Sequence, residues 1–365
     1  MLIGPTTHAI EAHETGRENS SSVMEGLSGT AGYPPTMTDS PSESRATTRQ
    51  RGVHRLEFGV DWPPGHVAAY LVTGDEPVLI DTGMAGDPGR GTLTGELGGH
   101  GLGAGDIDHL VLTHPHVDHL GQAATVIEAG DPQVYVPAGV ETRFSRDIDD
   151  LRSTVERNAT AAGVAGEARE SVIEKAVESL RRDRALLPNE AVDRWVEDGA
   201  SIQVGEVSLN AIHTPGHQAD HLCYQAGVGD ERVLFSGDMA IKPFRSVAIH
   251  VGLDDGVEES IGAFYTALDR LGDLDIDRVF PGHGPVHDDF AGSIDRSVRS
   301  LDRLLEASLE ALRDGASTAA EVADRRQGRD LVYLLPETVG ALAYLEATGR
   351  AIAHMDGGVR RYDPR

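Results

Sequence analysis

The stretch "VLTHPHVDHLG", residues 111–121, decides how the chain is read. His114, His116, Asp118 and His119 fall within six residues, straight after a β-branched, apolar run. Imidazole and carboxylate are the donors that a borderline-soft metal ion takes. In extended backbone alternate residues share a face, so His114 and His116 point to one side. Asp118 and His119, on the turn that follows, can face a second point close by. Taken alone the stretch has a plainer reading, because a helix N-terminus favours aspartate and surface histidines are common.

The rest of the chain argues against the plainer reading. "TPGHQADH" places His217 after a strand-like run and a Pro-Gly turn, "LFSGD" ends on Asp238, "VFPGHG" supplies His283 after a second Pro-Gly, and "VLIDTG" supplies Asp81. Four polar residues at the ends of four apolar strands can converge on one edge of a sheet core. Surface decoration does not produce that pattern.

The 365 residues suffice for one large domain with additions, or for two domains. No apolar run approaches the ~20 residues that span a bilayer. The start, "MLIGPTTHAIEAHETG", has no basic segment and carries Glu11 and Glu14, so it does not read as a signal peptide. A cytoplasmic protein with no membrane association is expected. Cys223 is the only cysteine, which excludes an intramolecular disulfide and a thiolate-rich zinc site. The net charge is −27, and Lys175 and Lys242 are the only lysines. Such a balance suits an acidic surface adapted to high salt, or an arginine-favouring genome, and it disfavours non-specific nucleic-acid binding.

Residues 1–50 are rich in Ser, Thr, Gly, Pro and Glu and read as a disordered extension; Met24 and Met37 are alternative start positions to Met1. From residue 51 short β-rich segments bounded by Pro and Gly follow one another to about residue 290. Residues 144–195 interrupt them with helical spacing, as in Ile148, Leu151, Val155 and Ala159, and are expected to form a cap of about two helices. Its Leu, Val and Ala faces are expected to shape an apolar pocket. Over 291–365 a stripe of Ile294, Val298, Leu301, Leu305 and Leu312 is followed by a short helix capped by Ser317. A helix with Pro336 near its start and a hairpin at Asp356-Gly357-Gly358 complete a winged-helix-like module.

These motifs, in this order, resemble the metallo-β-lactamase fold superfamily over about residues 51–290. The resemblance implies an α/β fold, an αββα sandwich with two divalent metal ions at the edge of its sheets. By that resemblance His114, His116 and His217 hold the first metal, and Asp118, His119 and His283 the second. Asp238 bridges them, and Asp81 supports the ligand loop. Zinc is the default for such donors, with iron or manganese as alternatives. The carboxylate at Asp238 is that of the hydrolase branch, where many true β-lactamases have cysteine or serine. "TPGHQADHLCY" and the C-terminal module are similar to the lactamase-beta-two-like branch, which implies a small-molecule acyl substrate: a thioester, ester or lactone. Asp118 is the expected proton carrier, and His221 is expected to line the site and touch substrate. Lys242 and Arg245 are candidates for a substrate carboxylate or phosphate. The rival readings are a single-strand-selective endoribonuclease, a mononuclear iron oxygenase of the persulfide dioxygenase type, and a DNA-binding regulator using the winged module. A homodimer is compatible with all of them.

Overall fold

Strand β2 explains the architecture. Its residues, His66–Thr73, are buried almost without interruption, a pattern that belongs to a strand covered on both faces. Val67, Ala69 and Leu71 enter one hydrophobic cluster, while Ala68, Tyr70 and Val72 enter another. The period-2 alternation therefore serves two cores at once.

The computed structural model describes residues 52–326 and 331–365, without the side chains of Leu331 and Val332. The N-terminal extension expected over 1–50 lies outside the described residues. β1 (Gly52–Gly59), β2 and β3 (Val78–Ile80) lead into helix α1 (Gly86–Gly99). β4 (His109–Val111), α2 (Ala123–Gly130) and β5 (Gln133–Pro137) follow. The inserted helices are α3 (Gly139–Ser145), α4 (Ile148–Ala161) and α5 (Gly166–Leu186), after which β6 (Arg194–Val196) completes the first sheet. The second sheet is formed by β7 (Ser201–Val204), β8 (Val207–His213), β9 (Leu222–Val228), β10 (Glu231–Gly237) and β11 (Arg278–Pro281), with α6 (Ser260–Gly272) before β11. The chain ends with α7 (Phe290–Arg313), α8 (Ala319–Asp324), α9 (Leu331–Ala347) and a hairpin of β12 (Ala351–Asp356) and β13 (Val359–Pro364).

The first sheet has the order β1-β2-β3-β4-β5-β6 and is parallel from β3 onward. The second has the order β11-β10-β9-β8-β7, with β10 and β11 parallel. Tyr70, Val111 and Tyr135 of the first sheet pack against Tyr224, Phe235 and Phe280 of the second. Helices cover the outer faces. The sheets are also stitched by polar bonds: Leu222 N–H donates to Thr113 O at 2.9 Å, and the Tyr224 hydroxyl donates to Leu112 O at 2.9 Å.

The inserted helices turn their apolar faces inward. Leu151, Val155 and Ala159 of α4 and Val172, Ile173, Val177 and Leu180 of α5 are all buried. Their apolar faces are consumed by packing, so they do not line an open acyl pocket. The insertion is tied to the loop after His250: Asn158 Nδ2 donates to Leu253 O at 2.8 Å, and Arg146 grips both oxygens of Asp254.

The C-terminal helices and hairpin occur in the expected order. Leu301, Leu335, Leu342 and Tyr362 join the same hydrophobic cluster as Leu56 and Leu110, so packing runs on across residue 291. Two local readings shift. Thr318, not Ser317, caps α8 by accepting from Glu321 N–H. Pro336 lies inside α9, which begins earlier than a proline-marked start predicts. Arg360 is paired to Glu258 and Glu346, and Arg361 to Asp356, so neither stands free for phosphate.

Glu337 on α9 is 1 % exposed. It accepts from Arg245 at 2.7 Å and from Ala248 N–H at 3.0 Å, and it also pairs with Arg326. Burial pushes its pKa up, but Arg245 and Arg326 bring it down to about 2. This contribution to stability is complete above the unfolded value of 4.5 and is lost as pH falls through about 2. Glu337→Ala leaves Arg245 buried without its partner and should cost about 3–5 kcal/mol in denaturant unfolding at neutral pH. The gap between variant and parent should narrow as pH falls through that window.

Candidate metal centre

The ligand loop starts where β4 ends. Asp81, just past β3, accepts the Thr113 N–H at 2.8 Å through Oδ1 and the Thr113 hydroxyl at 2.8 Å through Oδ2. Oδ2 also meets His119 Nδ1 at 2.8 Å. Asp81 has φ 58°, a left-handed conformation that a non-glycine residue adopts at a cost. The loop then folds back on itself, with the N–H groups of His119 and Leu120 both donating to His116 O at 2.9 Å.

The structure brings all seven candidate ligands together. His114, His116 and His217 form one group whose donor atoms lie within 4.8 Å of one another; Asp118, His119 and His283 form a second, and His114, His119 and Asp238 a third. His116 Nδ1 is 3.0 Å from His114 Nε2 and 2.9 Å from His217 Nε2. His283 Nε2 is 3.3 Å from Asp118 Oδ2. Asp238 reaches both sides: its Oδ2 is 3.1 Å from His217 Nε2 and 3.5 Å from His283 Nε2.

The ring orientations suit a metal. His114, His119, His217 and His283 each engage the protein through Nδ1, with Thr113 Oγ1, Asp81, Val247 O and His66 O respectively. Their Nε2 atoms are left for the centre, as histidine ligands require. His119 Nε2 and Asp238 Oδ1 lie 3.3 Å apart, yet both are buried and make no hydrogen bond among the described residues. Buried polar atoms are seldom left so, and a cation between these donors would satisfy them.

Electrostatics divide the donors. Burial lowers the pKa of His114, His116 and His217, so they stand neutral with lone pairs available. Burial disfavours charge on His119 and His283 too, but Asp238 first, and Asp118 with it, outweigh this and raise both. Burial would raise Asp118, yet His119 and His283 bring it down to about 2; Asp238 is likewise held well below the carboxylate range, chiefly by His283 and His217.

The glycines of the motifs are spatial requirements. A Cβ on Gly282 would come within 2.5 Å of His119 Cε1 and 2.7 Å of Asp238 Oδ1. Gly237 has φ +46°, and a Cβ there would stand 2.5 Å from His221 Nε2. Nothing but their place beside the ligands marks these positions in the sequence.

A family model described as the metallo-beta-lactamase superfamily matches residues 62–283. The chain belongs to the metallo-beta-lactamase superfamily. Divalent metal ions are implied by that fold, and the donors here fit them. Among curated relatives, the lactamase-like protein adaB of Aspergillus niger is 26 % identical over 275 residues, 75 % of this chain and 66 % of that protein. A beta-lactamase-like protein 2 homolog of Caenorhabditis elegans is 26 % identical over 67 % of this chain and 62 % of its own length. An atrochrysone carboxyl ACP thioesterase of Aspergillus fumigatus is 22 % identical over 80 % of this chain and 60 % of its own. The chain thus spans somewhat under two thirds of the length of these relatives. A solved metallo-beta-lactamase family protein from Thermus thermophilus superposes with a TM-score of 0.72 at 25 % identity, covering 86 % of this chain and 99 % of that one.

Three expectations for this metallo-beta-lactamase site change. His221 is fully buried and does not face substrate: its Nδ1 bonds Thr214 Oγ1 at 2.8 Å, and its Nε2 accepts the Asp238 N–H at 3.0 Å. Arg245 is committed to Glu337, and Lys242 lies 3.4 Å from Asp289. Of the histidines given no role by sequence, His66 proves to hold His283 through its carbonyl oxygen, a backbone contact without a sequence signal.

Asp81→Ala and His221→Ala each remove a support without removing a ligand. Each should weaken metal retention about 10–100-fold, read as metal content after dialysis against graded chelator. Because His119 and His283 favour the protonated state, metal uptake should release protons and weaken as pH falls. Titration in weak buffer with a pH indicator reads both.

Proposed function

We propose that the chain is a metal-dependent hydrolase acting on a thioester, ester or lactone at a dinuclear centre. One observation carries the reading: seven His and Asp donors, all but His116 buried, converge in overlapping groups, with Asp238 within 3.5 Å of a histidine on each side. His114, His116 and His217 would hold one ion, Asp118, His119 and His283 the other, and Asp238 both. His and Asp donors suit zinc. When bound, two such ions supply an activated water as nucleophile and polarise the oxygen of the bond under attack.

The protein's own groups do the rest. Asp118, held ionised beside His283, is placed to orient the attacking water and take its proton on a carboxylate oxygen, then return it to the leaving group. His221 fixes the backbone of Asp238 and so acts as a positioning residue. Asp81 fixes His119 and the start of the ligand loop. The acyl preference is supported by the relative named a thioesterase, rather than by the insertion, whose apolar faces are buried.

The test is metal analysis coupled to a panel of thioester, lactone, phosphodiester and β-lactam substrates. About two ions per chain and turnover of the acyl substrates are expected. His114→Ala with His116→Ala should abolish both. Asp118→Asn should lower kcat about 10²–10⁴-fold. Full turnover by a metal-free chain would overturn the reading, and cleavage confined to the phosphodiester would replace the acyl substrate.

A further inference from the structure

A cavity of about 430 Å³ opens beside the segment Pro243–Val247, lined by Arg245, Arg296, Arg303 and Arg326, with Glu337 the only carboxylate among the described lining residues. In a chain of net charge −27 this is a local reversal of sign. The four arginines are not equivalent. Arg245 and Arg326 are consumed by Glu337. Arg296 gives Nη1 to Asp289 at 2.9 Å, but its Nε and Nη2 are buried and have no hydrogen-bond partner among the described residues. No hydrogen bond or ion pair engages Arg303 among the described residues, and it is exposed.

Arg296, Ser300 and Arg303 follow one another on α7 at spacings of four and three, so they share one face of the helix. All three line the cavity. A buried guanidinium N–H without an acceptor is costly, and the planar guanidinium fork matches the paired oxygens of phosphate or carboxylate. The cavity also shares a wall with the metal centre. Val247 lines it, and the Val247 carbonyl oxygen accepts from His217 Nδ1 at 2.8 Å.

We propose that Arg296 and Arg303, with the Ser300 hydroxyl between them, bind an anionic group of the substrate remote from the bond that is cleaved. The group is a phosphate or a carboxylate. It has two natural sources, a phosphate on the thiol arm of a thioester or a carboxylate on its acyl part. The naming of the substrate rests on the hydrolase reading above; the binding of an anion does not.

The experiment has two arms. In the first, inorganic phosphate is titrated at constant ionic strength into the metal-loaded protein and into the Arg296→Gln/Arg303→Gln variant. Any phosphate held by the metals is common to both, so one class of binding should be weakened at least about tenfold in the variant alone. Arg303→Glu, a change at an exposed residue, should weaken the same class and guards against misfolding of the double variant. In the second arm, KM is compared for a neutral thioester, one with a phosphate on its thiol arm and one with a carboxylate on its acyl chain. The parent's preference for one anionic substrate over the neutral one should fall about tenfold in the variants, and which preference falls identifies the source. Equal phosphate binding by parent and variants overturns the proposal, as does an equal change in KM for all three substrates. Loss of phosphate binding in the variants with no thioester turnover by the parent would uphold the subsite and overturn the thioester as its substrate instead.

Discussion

The centre depends on one buried carboxylate that is not itself among the metal donors. Asp81 takes two donors from Thr113 and one from His119. It thereby fixes both ends of the ligand loop to the tip of β3. A carboxylate buried at 3 % exposure is tolerated only where such donors surround it. Its left-handed backbone is the local cost, and the order imposed on His114 and His119 is the return. Two of the donors inherit their position from this contact. His114 is oriented by Thr113, which Asp81 holds, and His119 by Asp81 itself.

Support is layered around that point. Thr214 orients His221, His221 holds the backbone of Asp238, and Asp238 reaches histidines from both donor groups. Four donors share the ligand loop and three come from other segments, and His114, His119, His217 and His283 are each held from behind through Nδ1. Such rigidity lets like groups stand as close as the 3.0 Å between His114 and His116. The interleaving of neutral imidazoles with carboxylates and raised histidines spreads charge across the cluster, so that no single buried ion is left without an opposite neighbour.

Much of this was legible in the sequence because ligands and strand ends carry strong local signals. Asp81, His114, His217, Asp238 and His283 each follow an apolar run, and each run forms a strand or its edge. The weaker signals failed for physical reasons. β6 is three residues long and follows a helical stretch, so Arg194–Val196 offers no period to read. α1 contains "GDPGRGTLTGELGG", whose glycines oppose a helix, and it is held by Leu93 and Leu97 in the core. His221 has the chemistry of a catalytic residue, and only its burial reveals that both ring nitrogens face protein. The apolar spacing of α4 and α5 fits a pocket lining and a packed helix pair equally well, and packing decides between them. Arg296 and Arg303 were invisible as a pair because their neighbour across the cavity, Arg245, lies about fifty residues away in sequence.

The clasp between the two halves of the chain has a further consequence. Within Ser246–Ala248, the Ser246 hydroxyl donates to Asp238 O at 2.6 Å and Val247 O accepts from His217. The next residue, Ala248, donates its N–H to Glu337 on α9. One short segment therefore touches Asp238, His217 and the C-terminal helix in succession. The last 75 residues are accordingly part of the tension that holds the centre in shape. A chain cut back to its family-matched region would keep every donor and lose the outer anchor of two of them. The natural unit of this protein is longer than its motif.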